Sequence, residues 1–387
     1  MNNQTYDVII IGGGFAGCAL AYQFSRAKAS TLLLESGHIC SGTSAACAGR
    51  AQIFDSETPQ YLEIVKQGYS ILPQLGRELE VDLEWETPGH ITLYSSQEQL
   101  SGQLKKIAWL KNSGFYAEFL DIEQLKKTEP FLEVNNCVGA IIAEEGHLNP
   151  FKFCWGYLQA AQKHAAVVKH HTKVTNLLVE KNNVTSVITN THKYSGKVVI
   201  LAMGAWTSTF LSKMNVDLPI SFTKAEAMVS EPLPRILNHH IGTSGFYESV
   251  HGENKSVTLG LGQHKNGCLL ISNAIQPADE IERASSAWAL PALNQQMMKF
   301  FPKLANVRML RTWSAPSPFA EDYQPIVGWL PQIDNLYIAS AFHLAIPTIP
   351  LFSEKIRDHV LENNANLSQQ FLEPFSPLRF FNKVLLD

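Results

Sequence analysis

The chain has 387 residues, 45% of them hydrophobic and 17% charged, a globular composition long enough for about two domains. A formal net charge of −4 and no long run of Lys or Arg leave nothing that favours nucleic acid or an anionic lipid surface as a partner. The six cysteines form no C-x-x-C and no Cys/His array with zinc spacing, so no metal is expected and they read as reduced thiols.

The first predicted elements are the most informative. Residues 7–11, "DVIII", are a β-branched run suited to a strand buried on both faces. Gly12, Gly14 and Gly17 follow in G-x-G-x-x-G register. Gly12 permits the tight turn, Gly14 lets the backbone approach a diphosphate, and Gly17 lets the next helix lie close on the strand. That helix, predicted from Phe15 and Ala16 to about Ala27, aims its N-terminal N–H groups and positive dipole end at the phosphates. A second buried strand, "STLLLE", ends in Glu35, where the ribose hydroxyls of a dinucleotide are held. "MNNQTYD" puts no basic residue before the apolar run, and adjacent glycines interrupt it, so neither a signal peptide nor a membrane span is read there. His343, Pro347 and Pro350 spoil the apolar stretch 336–352 as a span as well. A cytoplasmic protein is expected.

Ser41, Thr43 and Ser44 form a polar loop suited to further phosphate contacts at a helix start, or to a plain N-cap. Cys40 and Cys47 flank it; a disulfide or a covalent cofactor link there competes with ordinary buried thiols. Helical periodicity covers 58–79 and 97–112, with a strand at "HITLYSS" between them. Glu144, Glu145 and His147 read as a turn before a helix starting near Pro150. Short strands joined at Asn182-Asn183 lead to a buried strand that stops at Gly204. Residues 219–275 alternate strand-like runs with turns. Asn266-Gly267 is a hairpin signal there, so the glycines of "GLGQHKNG" are not a second phosphate loop. Residues 279–300 read as a helix, "RMLRTWSA" and "NLYIASAF" as strands, and 351–362 as the last helix. With one nucleotide site, a flavin that takes electrons straight from substrate is more economical than a flavin–nicotinamide relay.

The segments "DVIIIGGGFAGCALAYQFSRAKASTLLLESG", "GHLNPFKF", "KVVILAMGAWT" and "LRTWSAPSPFAEDYQPIVGWLPQIDNLYIASAF" together resemble the D-amino-acid oxidase-like FAD-dependent oxidoreductases. That family includes glycine and sarcosine oxidases, opine oxidases and D-hydroxyproline dehydrogenases. The resemblance covers nearly the whole chain in order, and "DYQPIVG" (322–328) is its most specific part. It implies an α/β fold: a Rossmann-like FAD-binding domain of the glutathione-reductase type, interleaved with an α+β substrate domain. The first would take residues 1–80, 146–210 and 331–387. The second would take 81–145 and 211–330, built on a large mixed, mostly antiparallel sheet. Position by position, the resemblance implies that Gly12, Gly14, Phe15, Ala16 and Gly17 hold the pyrophosphate, and Glu35 and Ser36 the adenosine ribose. Ser41, Thr43 and Ser44 would lie along the pyrophosphate and ribityl chain. Val174 would meet adenine, and Gly204 would close its strand near the ADP part. Phe342, His343, Leu344, Ala345 and Ile346 would lie near the pyrimidine end of the flavin.

The activity implied is oxidation of the C–N bond of a small amino acid or N-substituted amino acid, with hydride passing to flavin N5. Electrons would go on to oxygen or a carrier, and the chain would work alone or with like or unlike subunits. The active half departs from the family pattern. Ser317 replaces the arginine of a G-x-R-P segment that grips the substrate carboxylate, and "SAFHLAI" replaces a G-H-x-R-x-G loop. Two other readings therefore stand beside the first: an oxidase for a larger amine or modified nucleoside side chain, and an FAD-binding subunit with little activity alone. Arg50 is the leading carboxylate clamp, since a guanidinium fork suits a carboxylate bidentately; an ion pair is its competing role. His343 is the candidate for substrate contact or proton release. Arg311, with Lys224, is placed to put positive charge near the reduced flavin, against a structural ion pair.

Overall fold

The computed structural model describes residues 5–56, 58–362 and 365–381. Among them, two eight-stranded sheets draw their strands from interleaved stretches of chain. The first runs, in spatial order, Ile326–Trp329, Leu336–Ser340, Lys193–Leu201, Thr5–Ile11, Thr31–Leu34 and Val167–Lys169. The hairpin Val174–Glu180 and Asn183–Thr189 hangs from Lys193–Leu201. Thr5–Ile11 pairs in parallel with both neighbours, Ile10 lying between Ile200 and Leu33. Val8 to Ile11 are buried on both faces, which is why this strand reads as an unbroken apolar run. The helices Phe15–Arg26, Pro59–Glu78, Pro150–Lys163 and Ala345–Val360 share one core against this sheet.

The second sheet runs Met309–Ala320, Ile220–Pro232, Cys268–Pro277, Ser256–Gln263, His240–Thr243, His90–Tyr94, Gly139–Ala143 and Ala117–Leu120. All its pairings are antiparallel except His240–Thr243 with His90–Tyr94. Met228, Ile271 and Leu259 turn one face of it onto Leu293, Met297 and Phe300 of the helix Ala289–Phe300, leaving the other face for the site.

Several expectations need correction. Residues 279–288 are not helical; the helix starts at Ala289. Polar side chains of the neighbouring strand capture this stretch instead. Lys224 Nζ meets Glu282 Oε2 at 3.0 Å and Ser286 N–H donates to Glu226 at 2.7 Å. The last long helix starts at Ala345, well before 351, because Pro347 falls in its first turn, where a missing N–H goes unnoticed. The expected turn at 144–147 contains a short strand, Gly146–His147, pairing with Arg50–Ala51. Ile326–Trp329 lies in the first sheet, although the expected boundary at 330 groups it with the second. Among the described residues, no helix is long and apolar enough to cross a membrane.

Candidate active site

A cavity of about 860 Å³ is lined from both sheets. At one end lies the glycine turn. Gly12 has φ +110°, and a Cβ on it would sit 2.4 Å from Ala202 O, so only glycine serves there. A Cβ on Gly14 would project to within 2.9 Å of Ser44 Oγ, on the cavity wall. Ser44 Oγ in turn accepts from the Phe15 N–H at 3.0 Å, at the first turn of the helix. Glu35 accepts from Gly13 N–H through one oxygen and from Gly37 N–H through the other, both at 2.7 Å, so it shapes the turn as well as facing the cavity. Thr43 Oγ1 donates to Pro316 O at 2.5 Å and ties this loop to the second sheet.

The tertiary fold brings nearly all of the expected cofactor residues to one wall. Gly12, Gly14, Phe15, Ala16, Glu35, Ser36, Ser41, Thr43, Ser44, Val174, Gly204 and 342–346 all line the cavity. Gly17 does not. A Cβ on it would fall 1.8 Å from Gly12 O, so it serves the packing of helix on turn. Ser340, where the family pattern has glycine, donates to Gly204 O at 3.0 Å and joins two parts of the wall. A backbone cradle at a helix N-terminus, an acid at the next strand end and an elongated cavity between them fit FAD. Cys40 and Cys47 are free thiols.

The opposite end is built by the second sheet. Thr223, Ala225, Ala227, Ala315 and Ser317 line the cavity, with Thr223 facing Ser317 and Ala225 facing Ala315 across the strand pair. Strand alternation sends Lys224 the other way, to Glu282, so it is not placed to act on a flavin. Arg311 is also displaced from the site: it is exposed and off the cavity wall. It lies four residues before Ala315, roughly 13 Å along the strand. Trp313 donates to Ala46 O at 3.0 Å and packs against the polar loop. Trp206 lines the cavity and carries Arg283 over its ring at 5.6 Å.

Arg50 lies on the cavity wall, but its fork is engaged. Its Nε and Nη2 donate to Glu145 Oε1 and Oε2 at 2.6 and 2.7 Å. Nη2 also meets His90 Nδ1 at 3.0 Å. Burial alone would raise the Glu145 pKa; Arg50, with His90 and His240, overrides it and holds the carboxyl well below the usual range. Burial, then Arg50, lowers His90 to about 3, so the ring is neutral, and facing a guanidinium that can only donate, its Nδ1 accepts. Nothing in the sequence joined Arg50 to Glu145, which lies 95 residues away. The pairing of Arg50 with His147 across two short strands creates that contact.

His343 lines the cavity beside Asp55 and Gln52. Burial lowers its pKa, and Asp55 pulls it back up. The Tyr61 hydroxyl donates to the His343 carbonyl at 2.5 Å and fixes the loop. Asp55 and Gln52 went unseen in the sequence because neither belongs to a recognisable motif.

A dinucleotide cradle that opens onto a pocket walled by a separate, mostly antiparallel sheet is the arrangement of a flavin-dependent oxidoreductase. The chain belongs to the FAD dependent oxidoreductase (DAO) family, whose model matches residues 7–357, and FAD is its cofactor. It is similar to glycine oxidase of Bacillus subtilis (strain 168), with 24% identity over 381 residues and 96% of each chain covered. It is similar to sarcosine oxidase subunit beta of Arthrobacter sp, with 24% identity, covering 87% of this chain and 82% of that one. Its fold is similar to that of L-proline dehydrogenase from P. horikoshii, with a TM-score of 0.85 at 19% identity, covering 98% and 99% of the two chains.

Proposed function

We propose that this enzyme oxidises the C–N bond of an amino acid, an N-substituted amino acid or a related amine. The observation that carries this reading is the continuity of the cavity. It runs from the Gly12–Phe15 cradle to the alanine-faced wall of the second sheet, with His343 lining it. The names of the relatives, glycine oxidase and sarcosine oxidase subunit beta, support a nitrogen-bearing substrate. Bound there, FAD supplies a hydride acceptor for the carbon next to nitrogen.

The chain's own residues prepare that carbon. Ala225, Ala227 and Ala315 leave an unobstructed wall for the substrate. The hydroxyls of Thr223 and Ser317 offer polar contacts at its edge, and Thr223 Oγ1 is buried without a hydrogen-bond partner among the described residues. His343, kept largely neutral by burial, accepts the proton that a substrate ammonium must lose, and the Asp55 carboxylate stabilises the imidazolium formed.

The test is anaerobic: the yellow protein is mixed with a panel of amino acids, N-methyl amino acids and amines, and bleaching of the flavin band is followed. Bleaching by nitrogen compounds and not by hydroxy acids is expected. A protein that stays colourless with added FAD, or a flavin that none of the panel reduces, refutes the proposal. The second outcome would favour a subunit role, which the name of the sarcosine oxidase relative supports.

A further inference from the structure

We infer that Glu145 cancels Arg50 as a carboxylate clamp and so selects a substrate whose reacting carbon bears no carboxylate. The inference rests on the C–N oxidation proposed above and names its substrate class.

A guanidinium has five N–H groups: one on Nε and two on each Nη. The Nε hydrogen of Arg50 goes to Glu145 Oε1. The two Nη2 hydrogens go to Glu145 Oε2 and His90 Nδ1. A planar fork grips a carboxylate with two parallel N–H bonds, drawn from Nη2 and either Nε or Nη1. With Nη2 saturated, neither fork remains for an incoming carboxylate; the two Nη1 hydrogens are left, and alone they offer no parallel pair. Charge tells the same story: Glu145 is buried at 1% side-chain exposure, Arg50 is partly buried at 16%, and the pair is neutral as a unit.

The network is also wedged in place. His240 Nδ1 meets Glu145 Oε1 at 3.2 Å from a third direction. A Cβ on Gly242 would come within 2.8 Å of the His90 ring, and one on Gly49 within 2.9 Å of His147. Gly242 leaves room for His90 against Arg50, and Gly49 leaves room for His147, whose ring packs on that of His240 at 5.3 Å. Turning Arg50 toward a substrate would strand a buried carboxylate, a severe penalty. Of the other charged residues that line the cavity, Glu35, Asp55 and Glu226 are themselves carboxylates, Lys173 and Lys213 are exposed and carry no fork, and Arg283 is exposed and stacked on Trp206. Ser317 stands where the family pattern has its arginine.

The experiment uses the FAD-loaded protein and a matched pair, N-methylglycine and N-methylethylamine, which differ by carboxylate against methyl. Anaerobic bleaching is read for each, and acetate, which cannot react, is titrated calorimetrically. The wild type is expected to bleach at least about tenfold faster with the amine and to give no acetate binding heat. In Glu145→Gln the cation is uncovered. Acetate affinity should rise by about tenfold to a hundredfold, and N-methylglycine should gain on the amine. Faster bleaching of the wild type by N-methylglycine, or acetate binding that Glu145→Gln leaves unchanged, overturns the inference. Should the variant not fold, the wild-type pair decides alone. If neither compound nor any other amine bleaches the flavin, the proposed function itself falls, and this inference with it.

Discussion

Replacing Gly14 and Gly17 separately by alanine distinguishes a glycine that serves the cofactor from one that serves the fold. At Gly14 the nearest atom to a new Cβ is Ser44 Oγ, at 2.9 Å, the end of a side chain that can turn away. Gly14 is also an N-cap with φ −84°, which alanine tolerates, so the apoprotein should lose only about 1 kcal/mol. The methyl would, however, stand on the cavity wall where a diphosphate must approach the backbone. Displacing it from the helix N–H groups forfeits at least one charge-assisted hydrogen bond, roughly 1.5–3 kcal/mol, or about tenfold to a hundredfold in FAD affinity. At Gly17 a Cβ would lie 1.8 Å from the Gly12 carbonyl oxygen, which is backbone and cannot turn. Overpacking there should destabilise the apoprotein itself by about 1–3 kcal/mol or more. Both effects are measured on stripped protein, by thermal melting without FAD and by fluorescence titration with FAD. Gly14→Ala binding FAD as tightly as the wild type, or Gly17→Ala melting at the wild-type temperature, would refute the division of roles.

Acid should unfold the protein early. Burial lowers His90 to about 3, His147 to about 2 and His264 to about 4, so the unfolded chain takes these protons near pH 6.5 while the fold resists them. Stability is then full above pH 6.5 and falls toward pH 4, by up to about 1.4 kcal/mol per unit for each histidine. Melting temperatures between pH 7 and 5 should show this slope, less steep in His147→Phe; an equal slope in both contradicts it. Gly49→Ala should destabilise markedly. Its φ is +74° and its Cβ would meet Leu148 O at 2.2 Å, so a melting curve matching the wild type would count against the glycine's role. Arg311→Ala should leave flavin bleaching rates unchanged, because the side chain is exposed and off the cavity wall; a large fall would restore Arg311 to the site.

Local signals made most of the cofactor half legible. The run "DVIIIGGGFAG" dictates a buried strand, a turn that only glycine can make and a helix start, all within a few residues of one another. Such features depend on backbone sterics and on hydrogen bonds between near neighbours, so the sequence expresses them directly. The helix expected over 97–112 and the hairpin at Asn266-Gly267 were readable for the same reason. Of the helix expected over 279–300, the first ten residues were not, because Lys224 and Glu226, more than 50 residues distant, take that stretch into a loop.

Sequence alone therefore determined the dinucleotide cradle and the interleaved α/β plan. Only the tertiary structure decided the charge of the substrate half. Arg50 reads equally as a carboxylate clamp or an ion-pair partner until two short strands bring Glu145 and His90 against it. Lys224 reads as a flavin neighbour until strand alternation turns it to Glu282. A phosphate cradle is made by neighbours along the chain, whereas the net charge of a pocket is set by partners that meet only after folding.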